Sequence, residues 1–289
     1  MATPANQNQH KIPQVYLRKF GYQDSNNQWK VSVLKKGLNY TQQKSIKSFA
    51  AEINHFDIVS DDPEIPRMFE KMNSDLESGY NEIITDLERG SLSEKFIAYL
   101  LQFIAVQIVR SDYWRKAILD LLSTDVKKNF LHIITGHRAT DSEDFMRIPE
   151  KDFFRVMMEG PPSGVINRVL LFLAEYLIIR IGEFEILVLE SEDGKPWNTS
   201  TNPVIVENRV NESNREFFAK ESEIYIPISP KYLIYLHFKG SEDQANSLRK
   251  LESEKVHMLS PLENWEIQKK IMHNAEEYLI FAGEVNLKK

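Results

Sequence analysis

Cysteine is missing from this 289-residue chain. Disulfides, thiol nucleophiles and thiolate metal sites are thereby excluded, and the composition fits a reducing cytoplasm. Glycine is sparse at 11 residues. No Walker-type phosphate loop, dinucleotide glycine fingerprint, His-Glu-x-x-His pair or Gly-x-Ser-x-Gly elbow occurs. Nucleotide folds built on glycine-rich turns lose weight accordingly. Long apolar runs are absent as well. Phe96 to Val109 is the most apolar stretch, shorter than the roughly 20 residues a spanning helix needs. The second candidate, Val165 to Leu189, carries Arg168, Glu175, Arg180, Glu183 and Glu185, which a lipid-facing helix would hold only at high cost. Both read as core helices, so no membrane partner is expected. The first twenty residues lack the apolar region of a secretory signal.

What is present is ordinary for a globular protein, with 42% hydrophobic and 27% charged residues. The net charge of -6 is unevenly spread. His10 to Lys47 holds eight Lys or Arg against one Asp, whereas Glu52 to Glu94 holds twelve acids against three bases. A nucleic acid could use the basic segment. Alternatively, the two neighbouring segments neutralise each other.

Residues 1–9 are polar and read as a disordered tail, with a single α+β domain over 10–289. Trp29 to Leu34 alternates, Lys36-Gly37 punctuates and Leu38 to Thr41 follows, which predicts a β-hairpin. From Pro66 the apolar period turns helical through Phe69, Met72, Leu76, Tyr80, Ile83 and Leu87, with Gly90 as the closing residue. Ser91-Leu-Ser-Glu94 matches a capping box and announces a helix to about Leu122. A third long helix spans roughly 164–180. The helical part thus covers about 64–180, and a strand-rich part covers 182–240. Its strands are read at Glu183–Glu190, Pro203–Val206, Ile224–Ile228 and Tyr232–Phe238. Helices near 242–253 and 261–281 close the chain. Long helices followed by clustered short strands predict α+β, with a small, mainly antiparallel sheet.

Chemistry is harder to place. His132 and His137, near Asp141 and Asp144, suggest a metal site. Five residues apart on a helix they would point about 140° from each other, so no metal is expected there. Glu183, Glu185 and Lys195 resemble the acidic strand of restriction-type nucleases only loosely, because Lys195 lies beyond a turn. Gln107 and Arg110 interrupt an apolar helix three residues apart and share a face. A guanidinium there must be paired or line a cavity, and the acidic helix before it could supply the partner. Asn198 to Pro203 reads as a polar loop. No cofactor can be named.

The opening run His10, Pro13, Tyr16, Leu17, Arg18 and Phe20 resembles the His-x-x-Pro-x-x-Tyr-Leu-Arg-x-Phe motif of the bacterial domain of unknown function 4238. The hairpin at Trp29, Phe56, the acidic helix around Glu70 to Leu87, and Arg110 match that family in order. So do Ser200-Thr201-Asn202-Pro203, Pro227-Ile-Ser229-Pro230 and the closing Asn274-Ala275 with Tyr278. Thr201 stands where the resembled family usually has aspartate, and a threonine cannot act as general base or hard-metal ligand. The resemblance supplies no activity. The matched positions suggest that His10, Arg18, Arg110 and Asn202 converge, with Gln107, on a cationic site for an anion such as a phosphate, nucleotide or nucleic-acid backbone. His10 would be the acid/base, in a defence or stress-response role. The competing expectation is a non-catalytic structural or interaction protein in which these residues cap helices and pin the N-terminus.

Overall fold

The computed structural model describes residues 6–58, 67–90, 92–136, 158–160, 162–207, 210–211, 216–217, 221–238 and 247–288. The expected α+β class is what it shows, with a helical middle between two sets of strands. His137, Asp141 and Asp144, named above as a candidate metal cluster with His132, lie outside the described residues. Among the described residues no group of three metal-ligating side chains gathers.

The helical middle begins with α2 (Met68–Glu88), after the short α1 (Gln14–Phe20) near the N-terminus. The apolar stripe of α2 is buried through Phe69, Leu76, Tyr80, Ile83, Ile84 and Leu87. Gly90 closes it in the left-handed conformation at φ 71°, where glycine carries no Cβ penalty. The single helix expected from about 92 to 122 is instead two, α3 (Glu94–Arg110) and α4 (Asp112–Leu122). Ser111 adopts extended geometry, and its hydroxyl accepts the amide of Trp114, so the residue that ends α3 also caps α4. Ser93, two residues after the predicted start, caps α3 by accepting from Phe96. Then come α5 (Lys127–Gly136) and α6 (Pro162–Ile181), the latter apolar nearly all round and packed on α3.

Two five-stranded sheets flank this middle. The first joins β6 (Phe184–Glu190), β8 (Ile205–Glu207), β11 (Glu223–Pro227), β12 (Tyr232–Phe238) and β13 (Val256–Met258) in the order β13-β6-β12-β11-β8. All pairs are antiparallel except β13 with β6; β9 (Val210–Asn211) and β10 (Glu216–Phe217) form a separate antiparallel pair. Its strands read as continuous apolar runs because both faces are covered. Ile186, Val188, Ile224, Ile226, Ile234 and Leu236 join the main helical core. Leu187, Leu189, Tyr225, Leu233 and Tyr235 face a second cluster with Trp197 and the inner side of α7 (Pro261–Asn274).

The second sheet is built on the expected N-terminal hairpin and adds late strands to it. It centres on β3 (Trp29–Lys35), which pairs with β2 (Tyr22–Gln23), β4 (Thr41–Ser45) and β14 (Tyr278–Phe281). β7 (Thr199–Ser200) extends it on β14. The closing helix therefore stops at Asn274, and Tyr278–Phe281 becomes a strand. Ala275 ends the helical backbone, and residues spaced for either structure are claimed by the open side of the hairpin. The helix expected near 242–253 is represented among the described residues by one 3-10 turn, Ser247–Lys250. At the other end, Asn8–His10 forms β1 and pairs with β5 (Ala51–Ile53), so Asn8 and Gln9 are not part of a free tail.

Candidate functional site

α1 shows why the N-terminal motif divides in two. Tyr16, Leu17 and Phe20 are buried, while Gln14 and Arg18, one turn apart, face outward. Inward, the Tyr16 hydroxyl meets Thr199 of β7 and donates to the Pro227 carbonyl at the end of β11, 2.7 Å away. The motif thus ties itself to both sheets. Its phenol is pushed well above the usual tyrosine range by burial.

His10, Gln107 and Arg110 meet around the main chain that precedes α1. Arg110 is 3% exposed. It donates to the His10 carbonyl and places both terminal nitrogens 3.1 Å from one oxygen of Glu77. Glu77 lies on α2, the acidic helix that the sequence offered as its partner. Gln107 donates to the Lys11 carbonyl at 3.2 Å. The His10 ring is half-buried; its Nε2 lies 3.1 Å from the Lys47 carbonyl and donates to it. Burial lowers its pKa most, and Arg110 adds to the shift. Around this knot the Oε1 of Gln107 and the Nε of Arg110 are buried without a hydrogen-bond partner.

Arg18 and Asn202 lie elsewhere, in two different cavities, so the expected gathering of donors on one concave site is corrected. The physical cause is the facing of α1, which turns Arg18 away from the residues its neighbours touch. Arg18 borders a shallow groove of about 440 Å³ with Gln14, Gln28, Trp29, Ser45, Ile46 and Lys47. Among the described residues neither Arg18 nor Lys47 has an ion pair, and none of those lining the groove is a carboxylate. Asn202 is 2% exposed and borders a cavity of about 500 Å³. That cavity is not the donor-rich, cationic one expected. Lys11 and Lys44 are outnumbered by Glu52, Asp112, Glu276 and Glu277. Lys11 is already bridged by Glu52 and, at 2.8 Å, by Asp112. Residues 44–48 form a wall common to both spaces, with Lys44 and Ser48 bordering the cavity, and Ser45 and Lys47 the groove.

The nuclease-like trio does not converge. Glu183 pairs with Arg180, Glu185 lies 3.6 Å from His237, and Lys195 pairs with Glu192. Thr201 has a structural task here: its hydroxyl accepts the Tyr278 amide at 3.2 Å, helping β14 join β7. Sequence reasoning missed the acids of the cavity altogether. Glu52, Asp112 and the adjacent pair Glu276 and Glu277 come from three distant places in the chain, with no spacing to reveal them. It also missed a buried carboxylate: Glu223 accepts from Tyr225 at 2.8 Å, from Tyr235 at 2.9 Å and from Arg249.

The layout defines an α+β protein with a basic surface groove beside an acid-rich cavity, and with no described helix long and apolar enough to cross a membrane. The chain belongs to the family described as "Protein of unknown function (DUF4238)", whose model matches residues 8–282. No curated protein and no solved structure matches it.

Proposed function

We infer that the protein binds a phosphate-bearing ligand, a nucleotide or single-stranded nucleic acid, in the groove around Arg18. The observation that carries this reading is a groove whose described lining holds two cations, an aromatic ring and no acid, in a chain that is acidic overall. Single strands are held by cations that follow the phosphates and rings on which bases stack. Arg18 and Lys47 supply the first, and the half-buried Trp29 supplies the second. Gln14 and Gln28 add amides that can both donate to and accept from base edges.

Mutual neutralisation of the basic and acidic segments accounts for little of this charge. Among the described residues a single ion pair, Lys11 with Glu52, joins them. His10 takes part as a positioning residue. Its ring holds the carbonyl of Lys47, fixing the backbone from which that lysine reaches the groove. Gln107 and Arg110 hold the segment from the other side, through the carbonyls of Lys11 and His10.

The test is anisotropy of a labelled oligonucleotide with the full chain, over a range of salt concentrations. Each phosphate contact on a single strand contributes about 0.7 to the slope of log affinity against log salt. Arg18→Ala with Lys47→Ala should lower the slope by about 1.4 and the affinity at low salt by tenfold or more. An unchanged slope would overturn the reading.

A further inference from the structure

α7 turns one face to the core and leaves the other open. Asn264, Ile267 and Ile271 are buried, and the two isoleucines join the second core cluster. On the opposite face Leu262, Trp265, Lys269 and Met272 stand in one stripe, because spacings of three and four residues keep to one side of a helix. Leu262 is 63% exposed, Trp265 52% and Met272 55%. Single exposed apolar residues are ordinary, but three large ones on one stripe mark a contact surface. The stripe also has the same spacing from either end. About its midpoint at Ile267, Leu262 exchanges with Met272, and Trp265 exchanges with Lys269. Those two central residues already attract each other, with the Lys269 ammonium 3.4 Å from the Trp265 ring centroid. Charge is polarised along the helix, with Glu263 and Glu266 in its first half and Lys269, Lys270 and His273 in its second. Glu263 is taken by the capping box, and Lys270 is bridged to Glu207. That leaves Glu266 and His273, both exposed and on one flank of the stripe.

We propose that α7 pairs with α7 of a second copy of this chain, antiparallel across a two-fold axis near Ile267. A two-fold contact must be self-complementary, so that if one residue meets another, the reverse contact is also made. The stripe meets that condition in the antiparallel sense. Leu262 of one copy faces Met272 of the other at both ends, and the two Trp265–Lys269 pairs meet in the centre, ammonium against ring. On the flank, the carboxylate of Glu266 in one copy accepts from the imidazole of His273 in the other, twice over. Parallel pairing would set Glu266 against Glu266 and align the two helix dipoles side by side. A lipid surface suits this face less well, since Lys269 interrupts its few apolar side chains and the chain carries a net charge of -6. One helix face is a small interface, so the dimer should be weak, with a Kd on the order of 10 μM. The surface shares no residue with the groove around Arg18, and the two proposals fail independently.

Sedimentation equilibrium of the full chain from about 1 to 100 μM, a range that brackets the expected affinity, tests the pairing. Dimer should accumulate across that range. Trp265→Glu, at an exposed position, should keep the parent's thermal melt and weaken association at least tenfold. The absence of cysteine from the chain makes the orientation testable as well. Leu262→Cys chains mixed with Met272→Cys chains should form a disulfide-linked pair under mild oxidation, and either variant alone should link at least tenfold more slowly. A parent that stays monomeric at the highest concentration, a dimer undisturbed by Trp265→Glu, or Leu262→Cys alone linking as fast as the mixture would each overturn the proposal.

Discussion

Arg110→Ala probes the knot that holds the N-terminal motif. The native guanidinium is 3% exposed, reaches Glu77 with two nitrogens, donates to the His10 carbonyl and lies 5.9 Å above the Phe56 ring. Truncation leaves the Glu77 carboxylate without its cation and the His10 carbonyl without its donor. It also leaves a void between α2, α3 and β1. Removing one partner of a buried pair typically costs about 3–5 kcal/mol. The Glu77 side chain is 29% exposed and can turn partly to water, which places the expected loss near the lower end, about 3 kcal/mol. For a chain of this size that is about 5 °C in melting temperature. Arg110→Met refills the void without restoring the charge, so the difference between the two variants separates packing from pairing. A double-mutant cycle with Glu77→Ala should show coupling of about 1 kcal/mol or more. Melts by differential scanning calorimetry are the assay. An Arg110→Ala melt within about 2 °C of the parent would refute the reasoning, because a buried, paired guanidinium cannot be removed so cheaply.

Further outcomes follow from other sites. Tyr16→Phe removes a buried hydroxyl that contacts Thr199 and Pro227, and should cost about 1–3 kcal/mol in denaturant unfolding. Gly79→Ala would normally gain about 1 kcal/mol of helix propensity, yet its Cβ would sit 2.8 Å from the Tyr99 ring. A net loss of stability is expected, and a gain would show that Tyr99 yields freely. His10, His55 and His237 all have pKa values lowered chiefly by burial. The unfolded chain therefore binds protons more readily than the native one near pH 6.5 and below, so stability should fall as pH drops from 7 toward 5. A flat stability profile across that range would contradict the assignment. Glu70 has the opposite linkage, its carboxyl raised by burial. Glu70→Gln should therefore help stability slightly at pH 7, an advantage that shrinks as pH falls through the carboxylate range.

The legible parts of the fold were those written in local periodicity. The stripe of α2, the all-round apolarity of α3 and α6, and the β6, β11 and β12 runs each declare themselves within a window of ten to twenty residues. Ser111 was not legible as a break, because capping depends on whether its backbone turns extended rather than on its identity alone. Tyr278–Phe281 was misread as helix because its partner, β3, lies at the other end of the chain and no local signal names it. The pairing of Arg110 with α2 followed from charge placed on a core helix. The cavity acids had no such signature, since long-range folding alone assembles them.

The marriage of β3 with β14 has a consequence for how the protein is made. Ser32 bonds to the carbonyl of Gly283 across 251 residues, and Thr41 bonds to that of Val285 across 244. At about 5–20 residues per second, a ribosome needs roughly 10–50 s to deliver that partner. Throughout that interval the nascent hairpin carries an open strand edge, the kind that pairs readily with other chains. The polar Gln42, Gln43 and Lys44 of β4 and the basic character of the opening segment are suited to keeping it apart from its neighbours during synthesis. A ribosome-bound fragment ending before Tyr278 should therefore leave β3 open to proteolysis, and release of the last dozen residues should close it.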